Sequence, residues 1–283
     1  MIGDGDWRSL VYLPGNSKEG NVTEKRVALI TGGNKGIGRE IARQLGRIDH
    51  TVWIGARDEA RGRKAEQELR GEGMDAHFVQ LDVTDEASVH AAVGTIKATT
   101  THLDVLVNNA GIGGDYASPA SEERIDDIRA VFEANAFGTI RVTQAFLPML
   151  HKGMMSRIVN VSSGLGSITL TSDYTQPIWG MAAFGYAASK TVVNMFTVKL
   201  AKELAASGIK VNAACPGATD TEMADVRTGA GGMTFPGIRT VEQAARVPVR
   251  LATLLPMGPT GGFFHDGDIL GGGSDPTIAA YPW

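Results

Sequence analysis

The chain has 283 residues, 36 of them glycine and one a cysteine, with 43% hydrophobic and 20% charged residues and a formal net charge of −4. One cysteine excludes an internal disulfide scaffold, the lack of a basic excess argues against a nucleic-acid partner, and the apolar fraction argues against disorder. The glycines follow no three-residue period, so a collagen is out and a compact α/β protein with a large core remains.

Residues 1–25 read as a polar N-terminal extension. Their best apolar run, Leu10-Val11-Tyr12-Leu13, stops at Pro14-Gly15 and is too short for a secretory signal. No stretch reaches the ~18 apolar residues of a transmembrane helix. No membrane partner is expected, and with Cys215 unpaired a cytoplasmic location is.

The body, 26–283, then alternates strands and helices. Val27-Ala28-Leu29-Ile30 is apolar without alternation, as in a strand buried on both faces. A glycine-rich loop and a helix over 39–46 follow. Thr51-Val52-Trp53-Ile54 is the second strand, and Asp58 is placed to cap a helix running to about Arg70. A third strand, 77–81, ends at Asp82; Thr84 or Asp85 opens the next helix. Val105-Leu106-Val107 leads into Asn108-Asn109-Ala110-Gly111, and a long helical pattern covers about 121–150. A fifth strand, 157–161, ends at Ser162-Ser163. A helix over 185–207 precedes a sixth strand, 210–215, stopped by Pro216-Gly217. A helix near 241–255 and a short strand at Phe263-Phe264 complete the pattern. This alternation predicts a Rossmann-like, doubly wound parallel sheet in three layers and a single domain. Its ligand belongs at the carboxyl ends of the strands, where strand order reverses.

The spacing Gly32-x-x-x-Gly36-x-Gly38 follows the first strand and opens a helix. Glycines there let backbone N–H groups and a helix N-terminus approach a pyrophosphate. An NAD site tends to place an acid ~20 residues after the loop, on the ribose hydroxyl. Here Arg57 stands 19 residues after Gly38, and Lys35 lies inside the loop. Two cations favour a 2′-phosphate, and so NADP(H); two solvated surface charges are the plainer alternative.

In these motifs the chain resembles the short-chain dehydrogenase/reductase family in its compact form, over about residues 26–267. Thr31-Gly32-x-x-x-Gly36-Ile37-Gly38 is similar to that family's cofactor loop, and Asp82-Val83 to its adenine-binding segment. Asn109, Ala110 and Gly111 match the segment beside the cofactor; Pro216, Gly217, Thr219 and Thr221 match the segment that holds the nicotinamide. Asn34 with Lys35, and Arg57, look most like the NADPH-dependent carbonyl reductases. The resemblance implies a catalytic tetrad of Asn135, Ser163, Tyr186 and Lys190, with Tyr186 and Lys190 also at the cofactor.

Tyr186 and Lys190 stand at i and i+4 and project from one helix face. A phenol of pKa ~10 exchanges protons poorly at neutral pH, and a nearby ammonium stabilises its phenolate. Tyr186 is then a general acid in reduction and a base in oxidation, and Ser163 donates to the substrate oxygen. The motif alignment favours Ser163 over its neighbour Ser162. In the family the asparagine supports a proton-relay water near the lysine. No histidine pair has metal-ligand spacing, so no metal is expected.

Ser163 and Tyr186 are 23 residues apart, which leaves an insertion of about ten relative to compact relatives and leaves a homo-oligomer open. A glycine-rich lid is expected near 221–240. The candidate lining is apolar: Ile112, Leu165, Trp179, Met181 and Met223. The expected partner is a small hydrophobic carbonyl or alcohol. An NAD-linked dehydrogenase and a non-catalytic NADP(H) sensor are the alternatives.

Overall fold

The structure, a computed structural model, describes residues 25–221, 238–266 and 279–283. Residues 1–24, 222–237, which hold most of the lid expected near 221–240 and its Met223, and 267–278 lie outside the described residues.

Seven strands lie parallel: β1 (Val27–Thr31), β2 (Thr51–Ala56), β3 (Ala76–Gln80), β4 (Val105–Asn108), β5 (Arg157–Val161), β6 (Lys210–Ala214) and β7 (Phe263–His265). They are ordered β3-β2-β1-β4-β5-β6-β7, so winding reverses between β1 and β4. Leu29 sits level with Trp53 on one side and Leu106 on the other. β1, β4 and β5 are buried throughout, which is why they read as unbroken apolar runs.

Helices cover both faces. On one, α1 (Gly36–Arg47), α2 (Glu59–Gly71) and α8 (Val241–Ala252) bring Ile41, Leu45, Leu69 and Leu251 onto Ile30, Ile54 and Val159. On the other, α3 (Glu86–Lys97), α5 (Gly138–Leu150) and α7 (Phe184–Glu203) bring Ile96, Phe146 and Leu200 onto Leu29, Leu106 and Val211. Each such side chain contributes roughly 1.5–3 kcal/mol on leaving water. Asp58 and Asp85 cap α2 and α3 through the N–H groups of Arg61 and Ala87. On α2, Glu66 reaches the sheet and accepts the backbone N–H of Phe78 at 3.1 Å.

The sheet centre is bolted by polar side chains. Asn108 donates to Thr143 and to Asn160, each at 2.8 Å, and Asn160 donates to Thr197 at 2.9 Å. All four are buried, so each bond replaces water that the site excludes.

Three features depart from the sequence expectation. The helical pattern over 121–150 is α4 (Ile125–Phe132), then a π-helical turn at Glu133–Phe137, then α5. The segment before α7 carries a 3-10 turn (Gly164–Gly166) and a short helix, α6 (Ile168–Ser172). An eighth strand, β8 (Ala279–Ala280), runs antiparallel along β7.

Candidate functional site

At the reversal of winding, the ends of β1 and β4 border a cavity of about 450 Å³. Its base is the glycine loop. Gly32 and Gly36 have φ of +64° and +53°, where a side chain is strained. A Cβ on Gly38 would strike the Asn109 amide and the Gly32 carbonyl. Lys35 is the N-cap of α1, no side chain caps that helix, and no acid lies in its first turn. Gly36, Ile37 and Gly38 of that turn line the cavity together with Gly32, Asn34 and Lys35. A phosphate placed there would meet backbone donors and the positive end of a helix dipole.

Thr31 holds the loop against β4. Its hydroxyl accepts the N–H groups of Asn109 at 3.0 Å and Ala110 at 2.9 Å. The Asn109 amide donates back to the Thr31 carbonyl at 2.9 Å. Asn109 thus has a structural duty as well as a place on the wall, beside Ala110 and Gly111.

Arg57, Asp58, Arg61, Asp82 and Val83 also line the cavity. Asp58 is committed: it accepts the Arg61 N–H at 2.9 Å, and its other oxygen lies 3.7 Å from Arg61 Nε. Asp82 accepts the N–H and hydroxyl of Thr84 at 2.9 and 2.7 Å. Arg61 was not foreseen from the sequence. Its signal was available, since a residue three past an N-cap lies on the first turn of the helix that opens at the cavity.

The four residues of the expected tetrad come together: Asn135 and Lys190 border Gly111, Lys190 lies near the Tyr186 ring, and Ser163 is hydrogen-bonded to Tyr186. Asn135 lies in the π-helical turn, fully buried. Its amide accepts the Ile112 N–H at 2.8 Å and donates to the Ile112 carbonyl at 3.0 Å and the Ser189 hydroxyl at 3.1 Å. A Cβ on Gly111 would come within 2.8 Å of Asn135 Oδ1 and 3.7 Å of Lys190 Nζ. Lys190 Nζ donates to the Val161 carbonyl at 2.9 Å and lies 5.7 Å from the centre of the Tyr186 ring. Ser163 follows β5, accepts the Leu165 N–H at 3.2 Å and turns its own hydroxyl toward the Tyr186 phenol. Its neighbour Ser162 is buried and donates to Asn194 at 2.6 Å.

Burial pushes the Tyr186 phenol well above its ordinary value; the Tyr116 phenol adds to this, and the Ser163 hydroxyl, hydrogen-bonded to it, opposes it. Tyr116 packs 5.7 Å from Tyr186, ring centre to ring centre, and burial pushes it up to about 12. Burial pulls the Lys190 ammonium down to about 8. The group is a neutral acid, a hydroxyl donor and a cation in one partly dry place.

Of the expected cofactor contacts, Pro216, Gly217 and Thr219 do not line this cavity, nor do Tyr186 and Lys190, whereas Thr221 does. A Cβ on Gly36 would lie 3.5 Å from the Thr221 methyl, so the turn after β6 closes on the glycine loop. Of the expected apolar wall, Leu165 is buried, Ile112 lines the cavity and Trp179 is 55% exposed. Glu123, whose carboxylate accepts the Gly185 N–H at the start of α7, also escaped the sequence reading.

A family model described as short chain dehydrogenase matches residues 26–230. A short-chain dehydrogenase/reductase of Saponaria officinalis is 33% identical, over 86% of this chain and 95% of that protein. The NADPH-bound carbonyl reductase from chicken fatty liver superposes with a TM-score of 0.72 at 28% identity, covering 86% of this chain and 97% of that one. A 3-oxoacyl-[acyl-carrier protein] reductase from Brucella melitensis, with bound NAD, superposes at 0.74 with 30% identity, covering 88% and 92%.

Proposed function

The chain belongs to the short-chain dehydrogenase/reductase family of nicotinamide-dependent oxidoreductases, and from that premise we propose that it is an NADPH-dependent carbonyl reductase. The observation that carries the cofactor choice is that three cations, Lys35, Arg57 and Arg61, line this one cavity. The acid beside them, Asp58, caps α2. Three cations suit a 2′-phosphate, and a capping carboxylate is poorly placed for a ribose hydroxyl. The NADPH-bound carbonyl reductase supports this reading; the NAD-bound neighbour supports an NAD-linked enzyme as the second reading.

The residues present fit a dinucleotide: glycines keep the base clear, the uncapped start of α1 would hold the pyrophosphate, and Lys35, Arg57 and Arg61 would hold a 2′-phosphate. When bound, the reduced nicotinamide supplies a hydride to a carbonyl carbon. Ser163 donates a hydrogen bond to the carbonyl oxygen. Tyr186, held neutral by burial, gives that oxygen its phenolic proton. Lys190 stabilises the phenolate left behind, and its charge at neutral pH follows from a value of about 8. Asn135 fixes the backbone at Ile112, which bounds the same cavity. A hydrophobic ketone or aldehyde is the substrate class favoured by Ile112, Leu165 and Tyr116.

The test is turnover of a carbonyl panel with NADPH and with NADH, for the wild type and Tyr186→Phe. NADPH should be preferred, and the substitution should lower turnover by at least about 100-fold while NADPH still binds. Binding without turnover in the wild type, unchanged by the substitution, would make the chain a sensor. Equal use of NADH would make it NAD-linked.

A further inference from the structure

Beyond the tetrad, one ion pair among the described residues has both side chains buried, and the proposed reaction does not use it. Arg239 NH1 and the Asp266 carboxylate are in contact, with side chains 5% and 8% exposed. Each extends from a rigid element. Arg239 directly precedes Thr240, which closes a capping box with Gln243 at the start of α8. Asp266 directly follows β7. The 216–221 turn runs alongside Arg239. Arg239 pairs with it as a parallel bridge to Thr219: its N–H donates to the Ala218 carbonyl at 2.8 Å, and the Asp220 N–H donates to its carbonyl at 3.1 Å. Its guanidinium also covers Gly217, whose φ is +77° and where a Cβ would lie 2.7 Å from Arg239 Nε.

Stability alone is a poor account of this arrangement. A buried ion pair seldom outperforms apolar residues of similar size, because both charges lose their water. Here the guanidinium is not even fully satisfied, since Nε has no hydrogen-bond partner among the described residues. A group retained on those terms calls for another role. The turn it covers ends at Thr221, on the cavity wall.

We propose that Arg239 is a positioning residue: anchored by Asp266, it holds the 216–221 turn in the conformation that receives the nicotinamide end of the cofactor, a role that rests on the site reading above. The guanidinium occupies the space a side chain at 217 would need, and the bridge fixes the turn's exit. The Asp266 carboxylate keeps the guanidinium from turning away.

Three variants test this: Arg239→Lys, which keeps charge and loses the planar fork; Asp266→Asn; and the apolar double variant Arg239→Met/Asp266→Leu, which leaves no lone buried charge. Amide hydrogen exchange at Gly217, Thr219 and Asp220 is measured without cofactor. Binding is measured by titration with NADPH and with the adenosine 2′-phosphate 5′-diphosphate fragment, which lacks nicotinamide. Exchange should quicken in every variant, and NADPH should bind about tenfold more weakly while the fragment binds unchanged. A structural defect would weaken both ligands together, and that result overturns the proposal. Unchanged exchange overturns it too, while leaving the site reading intact. Faster exchange with NADPH affinity unchanged removes the nicotinamide from this turn, overturning the site reading and the proposal with it.

Discussion

The Glu123 carboxylate accepts the backbone N–H of Gly185 at 2.8 Å across 62 residues of sequence. The contact ties the segment ahead of α4 to the first turn of α7, one residue before Tyr186. An anion at a helix N-terminus is stabilised by the N–H groups there. Glycine at 185 is required by the same contact, since a Cβ would lie 2.5 Å from the other carboxylate oxygen.

Glu123→Ala should therefore cost about 1–3 kcal/mol, the range for leaving a buried donor without its charged acceptor. Gly185→Ala should destabilise by displacing the same carboxylate. Urea unfolding of both variants measures the loss, and turnover should fall further than NADPH affinity because Tyr186 sits on the loosened turn. A stability within error of the wild type would dismiss the anchor.

Arg57→Ala and Arg61→Ala should each raise KM for NADPH by about 10- to 100-fold, the worth of one charge-assisted hydrogen bond. KM for NADH should barely change. Initial rates with both cofactors decide it, and parallel losses would mean that neither guanidinium reads the 2′-phosphate.

Lys190 couples activity and stability with opposite signs. Its ammonium holds a proton to about pH 8 in the fold and to the ordinary 10.5 in the unfolded chain. Between those values the unfolded state binds more protons, so the contribution of Lys190 to stability rises with pH. Activity should fall over the same window as the cation beside Tyr186 is lost. A kcat/KM profile and unfolding curves from pH 7 to about 10.5 check both, and Lys190→Met should abolish the stability rise.

His50 sets an acid limit. Burial, with Arg26 nearby, pulls its imidazole down to about 4 from 6.5, and Nδ1 is hydrogen-bonded to the Ile48 carbonyl at 3.2 Å. The neutral ring is favoured by the fold above pH 6.5, and that advantage is lost as pH falls through about 4. The loss should reach about 3 kcal/mol, and His50→Leu should flatten it in equilibrium unfolding across that range.

Much of the candidate site was legible because the proposed chemistry asks for residue types at short range. Gly32, Gly36 and Gly38 had to clear a backbone approach, and Tyr186 and Lys190 had to share a helix face. β1, β4 and β5 were visible as apolar runs because both sheet faces are covered there. The remainder depended on contacts between distant segments. Glu123 and Arg239 look like ordinary surface charges until the fold brings Gly185 and Asp266 to them. The π-helical turn at 133–137 leaves the apolar period intact, so one helix was read where there are three pieces. β8 is two residues long and has no alternation to detect.

That small strand and one glutamate change how the molecule meets its neighbours in a crowded solution. An open sheet has two unpaired margins, each a template on which another chain can add a strand. β8 lies antiparallel along β7 and takes that margin. At the other, Glu66 occupies the outward N–H of Phe78 on β3. Phe78→Pro would remove that donor, whereas Glu66→Ala would leave it open to a passing strand. A short strand on one margin and a single glutamate on the other thus each take away places where a passing strand could pair.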